Sequence, residues 1–574
     1  MNRLLSKHWP LALTLLLGVA AGLFWAVGYY QVLAYQEQFQ LFLLGGDYFC
    51  QCLSQPDGLA RWMGEFLVQF YNNYIFGAVV LALLYMLIHV VSSRVTGFKV
   101  LSLIPVLLLW YVMGDENVLL PFGVALFLAL LACWGVKALG RSRWAMAVVV
   151  LAMPLLYWLI GPMALLVALY MAVVLPLSKE HRFFNLGAGL LALALVVATM
   201  VACSHCLPYP PERMFYGLSY YRVPMVLPVL FLVIPLVVVL LSALSRLPFC
   251  QSVSSRVQAL ALAVVVVGGI VLVPRGFDAK RCELMDYDYL VRTGQWQAII
   301  AKAERQMPDL PMSVSATNLA LAMENQLGER AFQFYQRGTQ GLLPSFERNF
   351  ATTQLLGEIY FRMGMVNTAQ RLAFEAMEAL PNYAKSARAV RRLAETNLIN
   401  GQYDVARKYL KMLEKTLFYA KWARQMMQLL GDEAKIDAHP LYGYLRRVRL
   451  QEDFLFSERE TDRMCGQLFL HNQQNQVAMQ YLLMWPLLNR DINTFMQYVP
   501  VVQQRVQYNP RHVQEAICYA FGQRQQRPPR ELVGDVVAQH FMQFANAFNR
   551  GGRQNPSQLQ SFKNTLWYYL VNSQ

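Results

Sequence analysis

Three short strings, set apart by apolar sequence, carry most of the residues able to do polar chemistry in the first half of the chain. LGGDYFCQCLSQPDGLARW, residues 44–62, holds Asp47 and Asp57. MGDENVLLPFG holds the adjacent pair Asp115 and Glu116, and CSHCLPYPPERMFYGLSYYRVP holds His205, Glu212, Arg213 and Arg222. A carboxylate in reach of a hydroxyl can act as its general base, and guanidinium forks match phosphate oxygens. Brought to one face, the three strings would hold a phosphate and activate a hydroxyl. Arg213 and Arg222 are the phosphate candidates, with His205 beside them. Asp57 follows Pro56 and precedes the helical run GLARWMGEF, so it reads as a helix cap.

The elements that must position these strings are membrane helices. Up to Arg275 the sequence holds 15 Lys+Arg and 8 Asp+Glu among long Leu/Val/Ala runs, and the remainder holds 35 and 27. A bilayer core needs about 20 apolar residues per helix, which predicts about nine spans, near 10–30, 74–91, 98–113, 118–136, 144–160, 163–178, 184–203, 224–244 and 257–274. Gly161-Pro162 divides the fifth from the sixth, and that pair also fits a re-entrant hairpin. With the N-terminus inside, the inner segments carry Arg3, Lys7, Arg94, Lys99, Lys137, Arg141, Arg143, Lys179, Arg182, Arg246 and Arg256. The outer loops carry only Arg61, Arg213 and Arg222. Basic residues are retained on the cytoplasmic side, so all three strings and the C-terminal half are expected outside. The first apolar run lacks a small-residue cleavage site and reads as a signal anchor. The stretch GEFLVQFYNNY suits a helix in the membrane interface, with Phe66, Leu67 and Phe70 on one side and Glu65 and Gln69 on another.

Beyond 283 the pattern changes to paired amphipathic helices. LVRTGQWQAIIAKAERQMPDLP, LAMENQLGERAFQFYQRGTQGLLP, IYFRMGMVNTAQRLAFEAMEALP and TNLINGQYDVARKYLKMLEK align on Gly294, Gly328, Gly364 and Gly401, with steps of 34, 36 and 37 residues, and Pro308, Pro344 and Pro381 close the first three. Turn glycine, small crossing residue and closing proline resemble the tetratricopeptide repeat, although the first-helix aromatics are incomplete. The expected fold class is therefore all-α: a polytopic transmembrane bundle over 1–275, a TPR-like α-solenoid over 276–440, and a helical extension or cap over 441–574.

Over the first 275 residues or so, the layout resembles the GT-C class of membrane glycosyltransferases. An aspartate in a long first outer loop with interfacial helices, acidic residues between spans three and four, and a following α-domain carry the resemblance. It implies Asp47 as base or metal ligand toward an acceptor, Asp115 and Glu116 as the second acidic motif, and a polyprenyl-phosphate-linked sugar as donor. A divalent metal is the one cofactor it admits. The words DYF…PDGLARWMGEFLVQFYNNYIFGA are also similar to a functionally uncharacterised group of polytopic proteins of Bacteroidetes-type bacteria. Together these imply an inner-membrane protein with an outward, periplasmic C-terminal half, and two function classes stand. One is a lipid-linked-sugar transferase. The other is a non-catalytic scaffold whose solenoid recruits envelope proteins or glycan.

The net charge of +15 is spread through membrane-proximal turns without a basic run or aromatic RNA-binding pattern, which points to anionic lipid and away from nucleic acid. The sequence has no GxxxxGK[ST], HExxH or GxSxG, the marks of NTPases, zincins and serine hydrolases. Cys50, Cys52, Cys203 and Cys206 map to the outer side, as inert small side chains or a structural bridge ahead of redox catalysis.

Overall fold

The computed structural model describes residues 2–139, 142–177, 181–223, 229–251, 254–347, 349–451, 460–552 and 556–572. Arg141, Lys179 and the first residues of the 224–244 segment lie outside them. The described chain is helical, with one isolated antiparallel bridge, Val118 to Tyr221. It divides into two compact units. The first comprises Met1–Cys282 with Leu380–Arg388 and Met412–Lys421; the second comprises Glu283–Ala379, Ala389–Lys411 and Trp422–Gln574.

In the first unit, among the described residues, six helical segments are long and apolar enough to cross a bilayer: His8–Gly28, Tyr74–Thr96, Leu120–Leu139, Met153–Leu177, Arg182–Cys206 and Ser255–Gly276. They mark a membrane protein. The segments expected at 98–113 and 224–244 form shorter apolar helices, Leu103–Val112 and Leu230–Leu244. The expected pair 144–160 and 163–178 is cut differently, into Arg143–Leu151, Met153–Ile160 and Ala164–Val173. Proline explains the cuts, because Pro154 opens one helix and Pro162 follows Gly161, whose φ of +59° is left-handed. Gly161 cannot be replaced cheaply, since a Cβ there would lie 2.8 Å from that of Asp57.

Without a hydrophobic drive between helices inside lipid, close packing needs small residues at the crossings. At Gly189 an added Cβ would lie 2.4 Å from the backbone of Ala172, and at Gly64 one would lie 2.7 Å from Pro121. Gly189→Leu should therefore separate helices Arg182–Cys206 and Ala164–Val173 at a cost of about 1–3 kcal/mol, read as a lower unfolding midpoint in detergent.

The segment after the first span is unusual in composition for an interior. Gln31, Gln36, Glu37, Gln38 and Gln40 are all buried. Burial of so many polar groups requires partners, and several come from the two late segments that belong to this unit. Arg388 donates to Gln38 at 3.0 Å, Tyr419 to Glu37 at 2.7 Å, and the Leu417 amide to Gln69 at 3.0 Å.

In the second unit consecutive helices pack in pairs, such as Trp296–Arg305 with Pro311–Met323 and Phe350–Met363 with Val366–Glu378. A continuous core runs from Tyr287 to Trp567. Gly294, Gly364 and Gly401 take left-handed backbone at helix ends, as the alignment predicts. Gly328 does not: it lies within the short helix Leu327–Arg330, and Asn325 supplies the left-handed residue instead.

Candidate functional site

Asp57 is the first departure from the local reading. It occupies the N-cap position of Gly58–Val68, but its side chain makes no capping bond. The fully buried carboxylate instead accepts from the Ser219 amide and from the Ser219 hydroxyl, each at 3.0 Å. Burial pushes its pKa up to about 6, against the Ser219 hydrogen bonds and the Arg61 charge, which pull it down. Tyr220, next to Ser219, donates to the Ile160 carbonyl, and the Trp158 indole donates to Leu53 O at 2.7 Å. The first loop, the third loop and the break at Gly161 are thus pinned at one point.

The helix Gly58–Val68 also turns its polar side the other way from a simple interfacial helix. Arg61, Glu65 and Gln69 are buried, while Phe66, Leu67 and Phe70 are only partly covered. Arg61 Nε meets Glu65 Oε1 at 3.1 Å, its Nη1 meets Gln55 Oε1 at 3.0 Å, and the Tyr48 hydroxyl donates to Glu65. Glu65 beside it raises the Arg61 pKa, and burial with Glu65 raises that of Tyr48.

The second acidic motif is built around Asn117. Asp115 Oδ1 accepts from the Asn117 amide at 2.9 Å and from its Nδ2 at 3.0 Å. Glu116 Oε1 accepts from Arg281 Nη1 at 2.8 Å. Asn117 Oδ1 accepts from Arg222 Nε at 3.2 Å, and the Arg222 amide donates to Asn117 O at 2.7 Å beside the Val118–Tyr221 bridge. The Arg222 guanidinium lies 4.4 Å from the centre of the Phe39 ring. Burial and the adjacent Asp115 raise the Glu116 pKa, opposed by Arg281 and Arg222. A half-buried carboxyl held nearer neutrality is suited to general-base work.

Arg222 and Arg61 come together at a small polar cleft of about 30 Å³, which Gln40, Glu65, Ser219 and Asn382 also line. Among the described residues the Gln40 amide oxygen has no hydrogen-bond partner there.

The expected site residues therefore separate. Asp115, Glu116 and Arg222 are joined in one hydrogen-bonded chain. Arg213 is buried close by, donating to Tyr221 O at 3.4 Å with its guanidinium 4.8 Å from the Tyr221 ring centre; of the expected site residues Arg222 lines the cleft, and Asp115, Glu116 and Arg213 do not. His205 is exposed in the last turn of Arg182–Cys206, and Asp47 is exposed in the first turn of Gly46–Leu53. Asp47→Asn is accordingly expected to change stability by no more than about 0.5 kcal/mol, measured by chemical unfolding in detergent. No group of three or more His, Cys, Asp or Glu among the described residues is arranged to hold a metal. All nine cysteines are free thiols, and burial pushes the Cys52 pKa up to about 11, which keeps it protonated and unreactive.

Sequence reasoning missed Arg61, Glu65, Asn117, Ser219 and Arg281. For Arg61 and Glu65 the signal was present: an i,i+4 pair on the same helix face as Gly58 and flanking Gly64, residues small enough for that face to be buried. For Ser219 none existed, because its partner lies 162 residues away.

A family model described as a family of unknown function (DUF6057) matches residues 7–573, and the chain belongs to that family. Neither a comparison with curated proteins nor one with solved structures gives a match.

Proposed function

We propose that this member of the DUF6057 family is a membrane-embedded transferase of GT-C-like layout that acts on a lipid-phosphate-linked sugar. One observation carries the reading: Glu116, with a raised pKa, shares a hydrogen-bonded chain through Asn117 with Arg222, which lines a polar cleft with Arg61. In this reading the acceptor oxygen bonds to the sugar carbon as the bond from that carbon to the lipid phosphate breaks. Glu116 takes the acceptor proton, and Arg222 and Arg61 meet the phosphate oxygens. Asp47, exposed, has no assigned role. The loops that meet at this end face outward by the distribution of basic residues, which makes the second unit periplasmic and able to present an acceptor glycan or protein.

The scaffold reading is favoured by a specific observation too: Asp57, Asp115 and Glu116 each have a protein partner, as structural carboxylates do. The experiment that separates the two is a transfer assay. The purified full chain is supplied with a panel of polyprenyl-phosphate sugars and hydroxyl acceptors, and lipid phosphate release is measured. Release that depends on Glu116 supports the enzyme. A well-folded protein inert toward the panel in the presence of magnesium or manganese leaves the scaffold.

A further inference from the structure

The candidate spans His8–Gly28 and Ser255–Gly276, with the short helix Leu103–Val112, enclose an apolar cavity of about 520 Å³. That volume lies within the roughly 300–1,000 Å³ range of small-ligand pockets. Its walls include Leu16, Ala20, Phe24, Leu107, Trp110 and Val266, and no charged residue lines it. It is open sideways, because Leu16 is 66% exposed, Ile270 is 69% exposed, and only 11% of the span Ser255–Gly276 is buried. An opening of this kind between spans faces hydrocarbon, and hydrocarbon is what wets such walls.

One end of the cavity is roofed and charged. Phe24 and Trp110 meet edge to face at 5.0 Å, and Phe277 covers Phe24 at 5.2 Å and Tyr29 at 3.9 Å. Gly276 packs on the Tyr111 backbone, where a Cβ would lie 2.1 Å from the carbonyl oxygen. That contact joins the roof to the loop carrying Asp115 and Glu116. Arg281 ties down the same loop by its bond to Glu116, whereas Arg275 and Lys280 are exposed; the exposed carboxylate between them, Asp278, is taken up by the amides of Lys280 and Arg281 and lies 4.0 Å from the Arg281 guanidinium.

We propose that this slot holds one hydrocarbon chain of an anionic, phosphate-headed membrane lipid, with the head group against Arg275 and Lys280. The walls select the chain, and the two exposed cations select the head. The proposal goes beyond the transferase reading, since the slot holds a chain whether or not Glu116 acts as a base.

The test uses the full-length protein in phosphatidylcholine nanodiscs doped with phosphatidylglycerol or phosphatidylcholine carrying the same photoactivatable diazirine chain, with labelled residues mapped by mass spectrometry. Labelling at Leu107, Trp110 and Gly269 should exceed that at Leu83 and Leu87, which are exposed on Tyr74–Thr96. It should favour phosphatidylglycerol by about thirtyfold, the combined effect of two interfacial cations. Ala20→Trp, on an exposed wall position, should remove the slot labelling and spare Leu83 and Leu87. Arg275→Gln with Lys280→Gln should remove the head-group preference alone. Equal labelling of slot and control positions overturns the site, and equal labelling by the two lipids overturns the anionic head. Crosslinks from the slot to a second copy of the chain would make it a protein interface and also overturn it. Glu116→Gln retains the labelling, so a failed transfer assay and a failed slot are distinguishable.

Discussion

Asp57→Ala is expected to lower stability by about 3–5 kcal/mol at pH 5, whereas Asp57→Asn stays close to the parent protein. Alanine leaves the Ser219 amide and hydroxyl without their partner in a buried site, at about 1–3 kcal/mol each, and adds the cost of a left-handed alanine. Residue 57 has a φ of +58°, which aspartate and asparagine tolerate better than alanine. In Asp57→Asn the amide oxygen still accepts from the Ser219 amide, and the Ser219 hydroxyl can rotate to accept from the new NH₂. The variants also differ in their response to pH. The folded protein holds the Asp57 proton up to about pH 6, whereas an unfolded aspartate releases it near 3.9. Between these values the folded state binds more protons, so this group's contribution falls as pH rises from 4 to 6 and is constant above. From pH 7.5 to pH 5 the parent should gain about 1.4 kcal/mol from this group, and Asp57→Asn should not. Chemical unfolding in detergent at the two pH values measures both effects. An Asp57→Ala protein as stable as the parent would show that the carboxylate does not pin the loops, and parallel pH profiles for parent and Asp57→Asn would show that burial does not raise its pKa.

How much of this could be read from the sequence depends on the range of each interaction. The apolar helices follow from composition alone, because a run of some twenty apolar residues has few other uses. The left-handed turns at Gly294, Gly364 and Gly401 follow from local backbone chemistry. At Gly328 the same local rule fails: a Cβ there would lie 2.5 Å from Pro510 and from the Tyr508 hydroxyl, so tertiary packing gives that glycine a different use. The site was legible in part. That Asp115 and Glu116 share an end with Arg222 follows from counting spans, since their loops fall on one side of the membrane. Whether a given carboxylate faces in or out does not follow. Asp47 and Asp57 occupy similar turn contexts ten residues apart, yet one is exposed and the other fully buried. The distant Ser219 and Gly161, which pack on Asp57, separate them. The buried polar side chains Glu37 and Gln38 of YQEQFQ were illegible for the same reason, since their partners arrive from residues 419 and 388.

Glu116→Gln is expected to reduce transfer by about 10²–10⁴-fold, the range for loss of a general base, while the protein remains folded. Glutamine keeps the size and one acceptor oxygen, so the contacts with Asn117 and Arg281 change in strength more than in geometry. A lower rate alone would also fit a structural role, and the pH profile decides between them. The base must be unprotonated, so activity should fall as pH drops through the raised Glu116 pKa, and Glu116→Gln should flatten that limb. Arg281 gives an independent handle. Its positive charge, 2.8 Å from Glu116 Oε1, lowers the Glu116 pKa. Arg281→Gln should therefore raise that pKa further and move the acid limb to higher pH, with activity recovering at alkaline pH. Both residues lie in one ion pair, so a purely structural pair would give two variants with equal losses of stability and an acid limb that does not move. An Arg281→Gln profile displaced upward, beside a flat Glu116→Gln profile, would identify Glu116 as the group that takes the proton.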